Sequence, residues 1–153
     1  MAIREIRKAP DEILFKKSRP VPAFDERLRE LLDDMADTMY EANGVGLAAV
    51  QVGILKRICV IDDGEGLIEL INPVITEESG SQTGTEGCLS FPGKWGIVTR
   101  PEHVTVRAFD RDGNEVEFKG SGLLARAFCH EIEHLDGHVF VEKAERFIDP
   151  EEE

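Results

Sequence analysis

Residues 130–138 read HEIEHLDGH and hold three of the four histidines in a chain of 153 residues. His130 and His134 stand four apart, so on a helix both imidazoles leave one face and can share a metal ion. Glu131 lies beside them, within reach of a water on such an ion. H-E-x-x-H therefore supplies two nitrogen ligands and a general base, the parts of a metal-assisted hydrolysis. A third ligand must come from elsewhere. The extended pattern H-E-x-x-H-x-x-G-x-x-H puts it at position 140, which is Phe140. His138 comes two residues too early, past the expected helix end, and is read as a surface histidine. Glu142 and Glu145 leave little chain for a second helix to return to the ion.

Two more stretches offer chemistry. Glu86-Gly87-Cys88-Leu89-Ser90 sets a thiol between a glycine, where backbone can approach closely, and a leucine whose N–H can face a site. A thiolate with two imidazoles leaves open the fourth position that a catalytic metal needs. By itself EGCLS is a weak signal, because a lone cysteine is more often packing. Cys59, in an apolar run, and Cys129, beside His130, are read that way. Gly44-Val45-Gly46-Leu47-Ala48-Ala49-Val50-Gln51 combines small residues that permit close approach with a neutral amide donor at Gln51. Alone it is a tight turn into a buried strand.

These residues need a scaffold. From Asp25 to Asn43, Leu28, Leu31, Leu32, Met35, Met39 and Ala42 recur on one face, which predicts an N-terminal amphipathic helix capped by Asp25 and stopped at Gly44. Strands are expected around residues 54–62, 67–75 and 103–120, the last a hairpin turning at Arg111-Asp112-Gly113-Asn114. The stretch ESGSQTGTEGCLSFPGKWG reads as irregular loop. SGLLARAFCHEIEHLDG predicts a helix capped by Ser121 and ended by Gly137, apolar on two sides and therefore buried. The fold class is α+β: antiparallel strands packed around a buried C-terminal metal-binding helix, in a single catalytic domain spanning 1–153.

Composition narrows the rest. A net charge of −13 argues against extensive nucleic-acid binding, which depends on clustered Lys and Arg. No uncharged stretch is long enough for a membrane span. The opening MAIREIRKAPDE lacks the apolar core of a secretory signal, so a cytoplasmic location with reduced thiols is expected.

GVGLAAVQ, EGCLS and HEIEHLDG, in this order and at these separations, resemble the three motifs of the bacterial peptide deformylases. The likeness extends to the leading helix, the strand-rich middle and the length. It implies removal of the N-formyl group from formyl-methionine at the start of nascent polypeptides, with release of formate. It also implies one divalent metal ion per chain, typically ferrous iron in the cell, although zinc, nickel or cobalt suits the same donors. Position by position, it implies Cys88, His130 and His134 as metal ligands and Glu131 as proton carrier. The Gln51 amide and the Leu89 N–H would stabilise the oxyanion. Val45, Gly46 and Gly87 would meet an extended peptide strand to strand, and Leu123 and Ala127 would line an apolar methionine pocket.

Three departures stand out. Glu133 replaces the family's usual Asp, and Cys129 takes a place often held by Gln. Some relatives carry a basic extension for ribosome docking, whereas this sequence ends Asp149-Pro150-Glu151-Glu152-Glu153. The expected partners are formyl-methionyl nascent peptides, with a transient ribosome contact that is not expected to run through this acidic end.

Overall fold

The computed structural model describes residues 2–148. Helix α1 spans Glu26–Glu41, and the Asp25 carboxylate accepts the Leu28 N–H at its start. At its end Asn43, with φ of 58°, takes the left-handed position expected one residue later at Gly44. Asparagine tolerates that conformation, so the chain turns there and Gly44 follows it.

Among the described residues, eight strands form two antiparallel sheets. The first contains β1 (Gly46–Ala48), β2 (Ile58–Asp62), β3 (Leu67–Ser79), β6 (His103–Phe109) and β7 (Glu115–Ser121), in the order β1-β2-β3-β6-β7. The second contains β4 (Gln82–Cys88), β5 (Phe91–Arg100) and β8 (Arg146–Ile148), in the order β4-β5-β8. β1 and β4 are thus edge strands. Helix α2 spans Leu123–Leu135 and is buried along most of its length.

Strand β2 reads ICVID, apolar at four successive positions, because the larger sheet is covered on both faces. Ile58 and Val60 pack with Leu31, Leu32, Met35 and Met39 of α1. Cys59 and Ile61 point the other way and pack with Phe128, Ile132 and Leu135 of α2. The period of two along the strand assigns alternate residues to the two helices. Arg57, just before β2, fastens the far end of α2: its Nη1 donates to the Leu135 carbonyl at 2.9 Å and to Asp136 Oδ1 at 3.0 Å. The Ser18 N–H donates to the same carbonyl at 2.8 Å, closing a helix end that would otherwise leave carbonyls unpaired.

Two further sequence expectations change. The stretch read as irregular loop is largely the β4–β5 hairpin, paired from Gln82 and Arg100 inward to Cys88 and Phe91. Its outer residues alternate between exposed and half-buried, so Gly and Thr serve where apolar residues would mark a strand, and Thr83 and Thr99 bond across it at 2.9 Å. Ser121 does not cap α2. It ends β7, its hydroxyl lies 2.7 Å from His103 Nδ1, and the cap residue is Gly122 with φ of 59°. The strand runs straight into the helix, and only glycine turns that corner without strain.

Candidate metal centre and substrate cleft

His130 and His134 sit one turn apart on α2, with ring centroids 5.0 Å from each other. Cys88 reaches them from the end of β4, its Sγ 3.3 Å from His134 Nε2. One ligand atom from each of Cys88, His130 and His134 lies within 4.8 Å of the others, the only such group of three among the described residues to include histidine or cysteine. A soft thiolate with two imidazoles is a donor set for zinc or a late first-row divalent ion, so the residues present fit a catalytic metal.

The two imidazoles are held differently. His130 Nδ1 donates to Glu86 Oε2 at 2.6 Å, which turns Nε2 toward Cys88 and fixes the tautomer. Glu86 is itself held by Arg100, at 3.2 and 2.6 Å, and by Arg126 at 2.9 Å. Burial raises the Glu86 pKa, but His130 and Arg100 outweigh it and hold the carboxyl at about 2. Arg100 continues the chain outward to Glu133 at 2.7 Å, and Lys143 meets the same carboxylate oxygen at 2.7 Å. His134 is fully buried, and its Nδ1 has no hydrogen-bond partner among the described residues. Burial, aided by His130, pushes its pKa well down, so it stays a neutral imidazole.

Glu131 is buried and its Oε1 has no partner among the described residues. Burial raises its pKa to about 7, with Glu86 adding to the rise, which suits a group that takes and returns a proton near neutral pH. Gly46 makes room for it, since a Cβ there would stand 2.5 Å from Glu131 Oε2. Gln51 is oriented from behind: the Ala48 N–H donates to Oε1 at 2.9 Å, so the NH2 edge faces Ser90 Oγ at 3.1 Å and Cys88 Sγ at 3.5 Å. Its donor edge is thereby turned toward the Cys88 thiol.

A cavity of about 480 Å³ opens over these groups between β1 and β4. Val45, Gly46, Gln51, Gly87, Cys88, Leu89, Leu123, Ala127, His130 and Glu131, all singled out in the sequence, line it. His134 lies beneath it, fully buried. Leu123 is 53% exposed and belongs to the mouth, while Ala127 lies deeper at 7%. Gly87 lies against the Trp95 ring, where a Cβ would come within 2.5 Å of the indole. His138 is outside the cavity, its Nδ1 3.1 Å from Glu142. Cys59 and Cys129 are buried, and burial pushes the Cys129 thiol up to about 11 and the Cys59 thiol well up.

Glu86, Arg100 and Arg126 were not anticipated from the sequence. A signal existed: Arg126 is a lone charge on an otherwise apolar helical face, four residues before His130, and such a charge requires a buried counter-ion.

A thiol, two imidazoles and an adjoining carboxylate on a buried helix make a site of the metallohydrolase class. Residues 3–148 match the sequence pattern of the polypeptide deformylase family. The peptide deformylase of Caldicellulosiruptor bescii is 62% identical over 152 residues, which cover 99% of this chain and 92% of that protein. That of Thermoanaerobacter pseudethanolicus is 57% identical over 99% of this chain and 96% of its own. The crystal structure of peptide deformylase from Thermotoga maritima superposes with a TM-score of 0.93 at 38% identity, covering 95% of this chain and all of that one, 100%. The chain belongs to the polypeptide deformylase family. It is a metal-dependent hydrolase of protein biosynthesis that removes the N-formyl group from nascent polypeptides.

Proposed function

We propose that the cleft between the free edges of β1 and β4 binds the formyl-methionyl start of a nascent chain and that Glu131, Gln51 and Leu89 carry the reaction. Backbone at Val45, Gly46 and Gly87 pairs with the extended peptide, which holds many sequences without reading them. The first side chain enters between Leu123 and Ala127. Cys88, His130 and His134 hold a divalent ion, taken to be ferrous iron in the cell with zinc, nickel or cobalt able to replace it. When bound, that ion supplies Lewis acidity and lowers the pKa of a water.

Glu131 takes a proton from the attacking water as oxygen adds to the formyl carbon. The Gln51 Nε2–H and the Leu89 N–H donate to the carbonyl oxygen as it gains negative charge. Glu131 then returns the proton to the departing nitrogen, the C–N bond breaks, and formate and a free amine remain. The carrying observation is the convergence of three ligand atoms within 4.8 Å beside a carboxylate whose pKa is about 7.

Residues 1–153 are read as one catalytic domain acting in the cytoplasm, where nascent chains emerge. No helix among the described residues is long and apolar enough to cross a membrane. The acidic stretch Asp149–Glu153, on which the ribosome expectation turned, lies outside the described residues.

The test is formate release from a formyl-Met peptide by metal-loaded enzyme. Glu131→Gln is expected to lower turnover by about 10²–10⁴ while metal content stays at one ion per chain. Equal turnover in that variant defeats the assigned role of Glu131. Full metal content in Cys88→Ala defeats the ligand set.

A further inference from the structure

The cleft-facing stripe of α2 runs Leu123, Arg126, Ala127, His130 and Glu131. The reaction accounts for His130 and Glu131, and the side-chain pocket for Leu123 and Ala127. Arg126 has had no role toward substrate. It is 8% exposed, and among the described residues its guanidinium makes two hydrogen bonds: Nη1 to Glu86 Oε1 at 2.9 Å and Nη2 to the Val98 carbonyl at 3.1 Å. Those bonds fix the plane of the group and use two of its five N–H donors. The other donors belong to a side chain that lines the cavity between the mouth and the ligand His130. Glu86 balances the charge, so the guanidinium needs no acid from the substrate.

We propose, resting on the reading above, that Arg126 is a specificity-determining residue that offers an N–H donor to the first side chain of the peptide. The cleft then prefers a side chain with an acceptor at its δ position. Methionine has one in its thioether sulfur, a weak acceptor, and methionine sulfoxide has a strong one in its oxygen. Norleucine, the hydrocarbon isostere, has none. A wall made only of Leu123, Ala127 and Trp95 would favour norleucine and reject the sulfoxide, because a polar group buried without a partner is costly.

The experiment compares three peptides that differ only in the first residue: formyl-Met, formyl-norleucine and formyl-methionine sulfoxide. Formate release is measured with metal-loaded enzyme. We expect kcat/KM for Met to exceed that for norleucine by about three- to tenfold, and the sulfoxide to lie within about tenfold of Met. The corresponding deformylated peptides are titrated against the fluorescence of Trp95, the single tryptophan, which lines the same cavity, and their Kd values are expected to follow the same order. Arg126→Met leaves Glu86 its bonds to Arg100 and His130, and is expected to bring the Met-to-norleucine ratio to about one and to lower sulfoxide turnover by a further tenfold or so.

Norleucine handled as well as Met by the unaltered enzyme, with the sulfoxide slowed by about 100-fold or more, overturns the proposal. So does an Arg126→Met variant that keeps the original ratios. If that variant fails to fold, the unaltered enzyme's ratios and Kd values decide. Formate from none of the three peptides sinks the reading of the cleft itself, a different failure from equal turnover of all three.

Discussion

Helix α2 is held by two flanks of opposite chemistry. Toward β6 and β7 it presents Ala125, Phe128, Ile132 and Leu135 to an apolar core that includes Val104, Val106 and Ala108. Toward β4 and β5 it presents Arg126, His130 and Glu133 to Glu86 and Arg100, with no contact in that chain longer than 3.2 Å. Apolar packing is non-directional and fixes where a helix lies. Charged hydrogen bonds are directional and fix how its side chains turn. His130, on the ionic flank, has its Nδ1 bound, whereas His134, next to the apolar one, has a buried Nδ1 without a partner among the described residues. One imidazole is oriented by bonds and the other by the space it fills.

Deleting the centre of the ionic flank is the severest way to break that contrast. Glu86→Ala leaves Arg100, Arg126 and His130 without their shared acceptor in a buried setting. Stability is expected to fall by about 3–5 kcal/mol, read from denaturant midpoints, and metal affinity by about 10–100-fold, read by chelator competition. Loss of stability with unchanged metal affinity would show that Glu86 does not orient His130.

Acid should separate the flanks next. The Glu86 carboxyl is held at about 2 in the folded protein against an ordinary value of 4.5. Its contribution is therefore complete above the ordinary value and is lost as pH falls from about 4.5 toward about 2. For metal-free protein this amounts to something on the order of 3 kcal/mol, and Glu86→Gln should flatten the pH dependence across that window. The apolar flank titrates nothing there. Ile132→Val tests it directly, with an expected cost of about 0.5–1.5 kcal/mol and metal affinity unchanged.

The apolar flank was the legible one. Leu124, Phe128, Ile132 and Leu135 recur at helical spacing, and burial follows from that recurrence. His130 and His134 were legible for the same reason, their chemistry being local to one turn. Cys88 lies far from them in sequence, and only the joint occurrence of three motifs connected it. The ionic flank went unread because its members come from β4, β5 and α2, and nothing local to Glu86, Arg100 or Arg126 says that they meet. The β4–β5 hairpin was hidden by its own composition: its polar and small residues face solvent or the cleft, and so carry no apolar alternation.

The smallest effect is expected at the outer end of the ionic chain. Glu133 joins Arg100 to Lys143 through one oxygen, and the Lys143 side chain is 55% exposed. Arg100 keeps both bonds to Glu86 whatever Glu133 does, so the extra methylene serves reach rather than orientation. Glu133→Asp should cost less than about 1 kcal/mol, since a pair that meets solvent is screened and contributes little. Turnover should stay within about twofold of the unaltered enzyme, because His130 is held two links further in. A loss of metal affinity like that of Glu86→Ala would mean that the directional constraint on the ligand starts at the surface, and that the added methylene tunes the metal centre.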